Sequence, residues 1–256
     1  MLKSNNLYLG DCLDLLAKIE DQTIDLVFLD PPYNLQLNKV LTRPNHSIVN
    51  GVNQDWDKFD SYSSYDDFTF SYLTECKRVL KPDGGLWIIG SYHNIFRIGK
   101  ILQDLNFWIL NDVIWAKSNP LPNFRATRLT NAHETLIWCS KKPKSKYQFN
   151  YHTLKVANED RQERSIWNFP ICSGKERLKN NKNQTAHPTQ KPLALMKKII
   201  IQSSIQGDLV LEPFAGTASF CAEAKYLGRN YIGFEKDEGY FNLAIKRLKK
   251  IKSLKN

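Results

Sequence analysis

No stretch of this chain approaches the ~18 consecutive apolar residues of a membrane-spanning helix. Residues 1–11 hold no apolar core of a secretory signal. Cysteine is sparse. The five thiols (Cys12, Cys76, Cys139, Cys172 and Cys221) are odd in number and widely scattered. No CxxC pair and no Cys/His cluster at zinc spacing is present, so reduced thiols and no metal site are expected. There is no internal repeat. Together these absences predict a soluble cytoplasmic protein without a disulfide framework. Acid is also in short supply, with 26 Asp and Glu against 36 Lys and Arg, a net charge of +10. That excess favours a polyanionic partner without identifying one, and a merely basic surface would also produce it. A chain of 256 residues buries roughly 70–75% of its unfolded surface, enough for one large domain or one domain with an elaborated insert.

The most informative feature is Asp30-Pro31-Pro32-Tyr33 at the end of an apolar run over residues 24–29, broken only by Asp25. The run reads as a buried strand. The prolines stop it and stiffen the backbone, which holds an acid, two carbonyls and a ring at the carboxyl end of a sheet, where open α/β sheets bind ligands. A carboxylate beside a rigid carbonyl offers two acceptors to a planar amino group, and the ring can stack on the plane that carries it. The pattern suits chemistry on a nucleobase amino group, although a plain turn after a strand would also read this way.

A second constellation lies near the other end. Residues 209–219 read as a strand, a sharp turn (Glu212-Pro213-Phe214-Ala215-Gly216-Thr217-Ala218) and a helix start. Small residues let a ligand approach the backbone, and helix-start N–H groups favour negative charge. Further on, the strand 231–234 ends in Glu235, at the distance where an acid commonly accepts from ribose hydroxyls. Beside the first motif, this predicts an adenosine-containing cofactor next to a base pocket.

Strands are expected at 7–10, 24–29, 86–89, 108–115, 135–139, 209–211 and 231–234, and helices at 13–19, 65–80, 95–105, 193–204, 217–227 and 240–251. Residues 81–85 read as a turn. The alternation predicts an α/β fold with a doubly wound, mostly parallel, seven-stranded sheet in one domain, 1–256. Residues 34–60 are polar and irregular and read as a functional, mobile loop. Residues 141–186 read as an insert on the sheet. The lysine-rich C-terminal run reads as a solvated helix face.

The chain resembles the β-class amino-methyltransferases of DNA, with the acid-proline motif first and the Phe-x-Gly turn late. Longer stretches are similar to the cell-cycle-regulated (CcrM) adenine methyltransferase group, which methylates N6 of adenine in GANTC. These stretches are Asp30 to Leu37, Ile89 to Arg97, Phe107 to Asp112, Asn131 to Trp138 and Ala186 to Pro192. The resemblance covers nearly the whole chain. It implies a SAM-dependent methyltransferase fold in circularly permuted motif order. It also implies S-adenosylmethionine (SAM) as cofactor and adenine-N6 methylation of a base flipped out of double-stranded DNA.

By that resemblance Asp30, Pro31, Pro32 and Tyr33 are catalytic. SAM is held near Asp11 and Cys12 at its adenine, by Glu235 with Lys236 at its ribose, and by Thr189, Lys191 and the turn Phe214 to Ala218 at its methionine part, beside Asp30. Asp11 also suits a helix N-cap, and Lys191 either pairs with the SAM carboxylate or is a surface charge. His187 reads as a packing or capping residue. Two departures stand out. The family turn usually reads Asp-Pro-Phe-x-Gly-x-Gly, so Ala218 replaces a glycine and disfavours positive φ, and somewhat weaker SAM binding is expected. The group also often carries a further C-terminal region, whose DNA contacts are expected to be absent or replaced.

For DNA, 34–60 offers Lys39 and Arg43, and 118–131 offers Asn119, Asn123, Arg125, Arg128 and Asn131. Residues 141–186 add lysines and arginines as a target-recognition segment. Arginine can read guanine and asparagine adenine, while most basic side chains contact phosphate. Three alternatives stay open: an N4-cytosine enzyme, an RNA enzyme, or a catalytically weak DNA-binding protein on the same fold. A homodimer, by analogy with the class, and a cognate restriction endonuclease are open as partners.

Overall fold

In the computed structural model, the residues described are 2–35, 41–42, 48–49, 57–123, 126–180 and 183–254. The sheet begins with β1 (Asn6–Leu9) and, after the short helix α1 (Cys12–Leu16), β2 (Ile24–Leu29). Two-residue strands β3 (Leu41–Thr42) and β4 (Ile48–Val49) pair only with each other. Then come α2 (Tyr62–Val79), β5 (Leu80–Gly90), α3 (Ile95–Asp104), β6 (Trp108–Lys117) and β7 (His133–Ser140). The remainder is α4 (Tyr151–Ala157), β8 (Ile166–Phe169), α5 (Leu193–Ser203), β9 (Leu209–Glu212), α6 (Ser219–Tyr226), β10 (Asn230–Glu235) and α7 (Glu238–Lys250).

The main sheet has eight strands in the order β1-β10-β9-β2-β5-β7-β6-β8. It is parallel from β1 to β5, and β7 runs antiparallel to both its neighbours. Its central strands are buried on both sides, the usual condition of parallel strands covered by helices. Alternate residues feed two separate cores. Leu26, Phe28, Trp87, Ile89 and Val210 join one; Val27, Leu29, Leu86, Ile88 and Leu211 join the other. α6 packs with α5 and α7, and α2 packs with α1 and α3. Residues of α6 enter the first core and residues of α2 the second, so β9 and β2 hand the chain to opposite faces although they are neighbours. The crevice between their carboxyl ends is the topological switch point.

Two expectations are corrected. The sheet has an eighth strand, β8, pairing parallel to β6 at the edge; residues 141–186 therefore extend the sheet and do not merely lie on it. The turn expected at 81–85 lies inside β5. There Ile24 pairs with Leu80 and Leu26 already with Gly85, so residues 81–84 bulge out of the ladder. Pro82 has no N–H to give the ladder, and Lys81 instead reaches Asp25 at 2.6 Å.

Candidate active site

The crevice opens into a cavity of ≈ 660 Å³. Its wall brings together most of the residues expected to act: Asp11, Cys12, Asp30 to Tyr33, Thr189, Lys191, Phe214 to Thr217, Glu235 and Lys236. Ala218 sits just beneath, fully buried.

Asp11 follows β1 and caps α1, accepting from the Leu13 N–H at 3.0 Å. Its other oxygen meets Lys236 at 3.1 Å, which ties the ends of β1 and β10 together. The buried Cys12 thiol is pushed up to about 12 by burial and then by Asp11, so it stays protonated. At the end of β10, Glu235 accepts from the N–H groups of Gly216 (2.6 Å) and Asp237 (2.7 Å). Burial raises its carboxyl to about 7, and those two N–H groups pull the other way.

The turn after β9 is built on two left-handed residues. Gly216 has φ 52°, and a side chain there would begin 3.2 Å from Nε2 of His187. Ala218 has φ 54° and ψ 48°, the conformation that alanine was expected to resist. Its N–H donates to the Ala215 carbonyl at 2.6 Å and its methyl is wholly enclosed in the core, which together hold it there. An alanine side chain cannot cap α6, and the carboxylate of Glu212 does so instead, accepting from Phe220 and Cys221 at 3.3 and 2.9 Å. His187 stacks edge-on against Tyr240 at 4.5 Å and accepts from the Thr189 N–H at 3.3 Å. Burial, then Lys191 and Arg177, lowers it to about 4, so at neutral pH it is an uncharged packing residue.

Opposite lies the acid-proline segment. Both oxygens of Asp30 accept from the Lys191 ammonium at 2.8 Å. The Tyr33 hydroxyl is 3.2 Å from Asp30 and 2.9 Å from Glu134 on β7. Glu134 in turn pairs with Lys117 at 2.8 Å and lies 3.8 Å from Lys191. Burial alone would lower the Lys191 ammonium, but Asp30 and Glu134 outweigh it and raise it. Burial opposes ionisation of Glu134, yet Lys191 and Lys117 hold it below the ordinary carboxylate range. Burial also raises Asp30, against the pull of Lys191. Tyr33 is pushed up by burial and by both acids, so it remains a donor. The backbone is clamped as well. Asp57 accepts from three successive N–H groups, of Tyr33 (2.6 Å), Asn34 (2.9 Å) and Leu35 (3.0 Å). The Pro32 carbonyl accepts from Tyr65 at 2.9 Å and Asn94 at 3.4 Å.

An acid, a held ring and a glycine turn backed by a second acid thus face one cavity at the switch point. A family profile described as DNA methylase, of the N6/N4 type, matches residues 24–246. The chain belongs to the N6/N4 DNA methylase family. The chain is 52% identical to the type II methyltransferase M.HinfI of Haemophilus influenzae over 97% of its own length and 69% of that protein's. It is 40% identical to the type II methyltransferase M2.MboI of Moraxella bovis over 97% of its length and 89% of that protein's. Among solved structures, the M1.HpyAVI–SAM complex matches with a TM-score of 0.68 and 28% identity, covering 95% of this chain and 98% of the other.

In this DNA methylase the candidate DNA residues are less gathered than the cavity residues. Lys39, Arg43, Arg125 and most of the 34–60 loop lie outside the described residues. Asn119 is used internally, accepting from the Ile171 N–H at 2.7 Å. The side chain of Asn123 donates to the Arg128 carbonyl at 2.9 Å. Arg128 is exposed and donates to the Tyr92 hydroxyl at 2.7 Å, near the carboxyl end of β5. Asn131 is exposed just before β7. Among the described residues no group of three or more His, Cys, Asp or Glu is placed to hold a metal.

Glu134, Lys117 and Asp57 were not singled out by the sequence reading. The available signal for the first two was a charge at the end of a strand. Asp57 carried none.

The two left-handed positions differ in what substitution should do. Gly216→Ala should cost about 1–2 kcal/mol of stability in urea unfolding, because it adds left-handed strain and its methyl crowds His187. Ala218→Gly removes similar strain but also a buried methyl worth about 0.8 kcal/mol and adds unfolded-state freedom. Its unfolding midpoint should stay close to the parent's.

Proposed function

We propose that the protein transfers a methyl group from SAM to N6 of an adenine turned out of duplex DNA, in the sequence GANTC. The observation that carries this reading is the clamped Asp30 to Tyr33 segment facing the same cavity as Glu235 and the Gly216 turn. The cavity fits the cofactor: Glu235 is a half-buried acid near a glycine whose Cβ position lies against His187, and Phe214, Cys12 and Asp11 supply apolar and polar wall. Glu235 and Lys236 would hold the ribose, Asp11 and Cys12 the adenine end, and Thr189 with the turn at Phe214 to Ala218 the methionine part. When bound, SAM supplies a methyl group activated on a sulfonium.

The chain's residues do the rest. An adenine amino nitrogen is a poor nucleophile because its lone pair is delocalised into the ring. Asp30 accepts one of its N–H bonds and the Pro31 carbonyl the other, which favours a tetrahedral nitrogen and localises the pair. Acceptors already in place stabilise the positive charge that develops there. Asp30 then takes the proton that the methylated nitrogen sheds. Removing the base from the duplex costs a few kcal/mol, and stacking on the Tyr33 face returns about 1–3 kcal/mol. Because its hydroxyl is tied to Asp30 and Glu134, the ring is oriented before the base arrives.

The basic surface supports a DNA partner, with residues 34–60, 118–131 and 141–186 of this single domain as the contacting segments and a falling affinity with salt. The type II relatives support a cognate restriction endonuclease of the same sequence specificity, and the class resemblance supports a homodimer. An acid at the head of the motif favours adenine over cytosine by resemblance.

Transfer of labelled methyl from SAM should occur on GANTC duplexes and vanish when the target adenine is already N6-methylated. Label recovered as N4-methylcytosine, or only on RNA, would replace this reading. Arg128→Ala should lower activity on GANTC duplexes several-fold at unchanged SAM affinity; equal loss of both would indicate misfolding.

A further inference from the structure

The chemistry above asks more of Asp30 than the structure leaves free. A carboxylate has about four lone-pair positions. Lys191 occupies one on each oxygen and Tyr33 approaches a third. An ammonium bonded to Asp30 also opposes the positive charge that the acid has to stabilise on the target nitrogen. Lys191 cannot simply leave, since its side chain is only 6% exposed and a buried ammonium without a counter-charge is strongly unfavourable. Among the described residues one other acid stands within reach. Glu134 Oε2 is 3.8 Å from the ammonium, and the Tyr33 hydroxyl lies within reach of both acids. Lys117 holds the other oxygen of Glu134 at 2.8 Å, so Glu134 is paired whether or not Lys191 joins it. Glu134 and Lys117 are not part of the cavity wall, whereas Asp30, Tyr33 and Lys191 are. Glu134 can therefore act only through its neighbours.

We propose that Glu134 is a positioning residue that receives the Lys191 ammonium when the target amino group docks on Asp30, so that Lys191 moves between two part-buried carboxylates. The move closes the 3.8 Å gap, opens the 2.8 Å pair and frees the Asp30 oxygens for the base. The count of buried charges is unchanged throughout. The inference rests on the proposed amino-methyl transfer, but it holds for any amino-bearing base.

Glu134→Gln keeps an acceptor for Tyr33 and removes the charge that would attract Lys191. Its single-turnover rate should fall about 10–100-fold, the scale of a misplaced reacting group. Affinity for S-adenosylhomocysteine should stay near the parent's, while the thermal midpoint should fall because Lys117 loses its counter-charge. The pair Lys117→Met with Glu134→Gln restores local charge balance without restoring the second berth, and it should remain slow. Recovery of the parent rate in that double variant would overturn the proposal, since Glu134 would then serve only to neutralise Lys117. So would a Glu134→Gln rate equal to the parent's. A second readout does not depend on turnover: in lysine-selective NMR of protein already saturated with S-adenosylhomocysteine, the Lys191 signal should shift when duplex is added to the parent, and stay in place in Glu134→Gln. A signal unmoved in the parent overturns the berth. A parent that transfers no methyl while its Lys191 signal moves overturns the proposed function and leaves the berth standing.

Discussion

Asp30→Ala should abolish methyl transfer while leaving SAM affinity within reach of the parent's. The two halves of that expectation come from different parts of the cavity. The carboxylate is the one charged acceptor of the motif, and removing one preorganised partner of a developing charge costs on the order of 10²–10³ in rate. Here the loss should be larger, because the adjoining Lys191 would face the target nitrogen without the acid between them. Affinity should survive because the Glu235, Gly216 and Asp237 contacts are made at the ends of β9 and β10. Nor does the substitution strand a buried charge, since Lys191 keeps Glu134 within 3.8 Å. Calorimetric titration of SAM beside a labelled-methyl assay checks both halves. Turnover comparable to the parent's would sink the mechanism.

Glu235→Ala should do the converse. Its carboxylate gathers the Gly216 and Asp237 N–H groups and is the acceptor proposed for the ribose. Hydrogen bonds to a charged group contribute about 1.5–3 kcal/mol each, so losing the ribose contacts and loosening the turn should weaken SAM binding about 100-fold. At saturating SAM the single-turnover rate should remain near the parent's, because Asp30, Tyr33 and Lys191 are untouched. A variant that binds SAM normally but reacts slowly would remove Glu235 from the ribose role. Measured together, the two substitutions separate holding the donor from activating the acceptor.

The parts of this site that could be read from the sequence are those whose meaning is local. A run of apolar residues closed by an acid and two prolines, or a glycine turn between a strand and a helix, carries its own geometry. Asp30, Gly216 and Glu235 were found that way, and seven of the eight main strands announced themselves by apolar runs. β8 did not, because a four-residue edge strand exposes half its side chains and sits among polar neighbours. The bulge in β5 reads as a turn because Pro82, Asp83 and the glycines signal both. The charged network was hidden for another reason. Lys191 and Asp30 are 161 residues apart, and Tyr33 and Glu134 are 101 apart. Only the pairing of β2 with β5 and of β5 with β7 brings Glu134 to Tyr33. Ala218 shows the limit of reading a residue by its preference: backbone bonding and enclosure of its methyl override a cost of about 1–2 kcal/mol.

Asp57 has a consequence for how such a protein can change. By binding the N–H groups of Tyr33, Asn34 and Leu35, one carboxylate pins residue 57 to residues 33–35. The chain between them begins and ends at a fixed point, whatever its length. Doubling a closed segment costs only about 0.6 kcal/mol of closure entropy. The length of chain between residues 35 and 57 can therefore change with little penalty to the Asp30 to Tyr33 backbone, provided the acid that closes it is kept. The backbone of Asp30 to Tyr33 is in this sense insulated from changes in the chain that Asp57 closes.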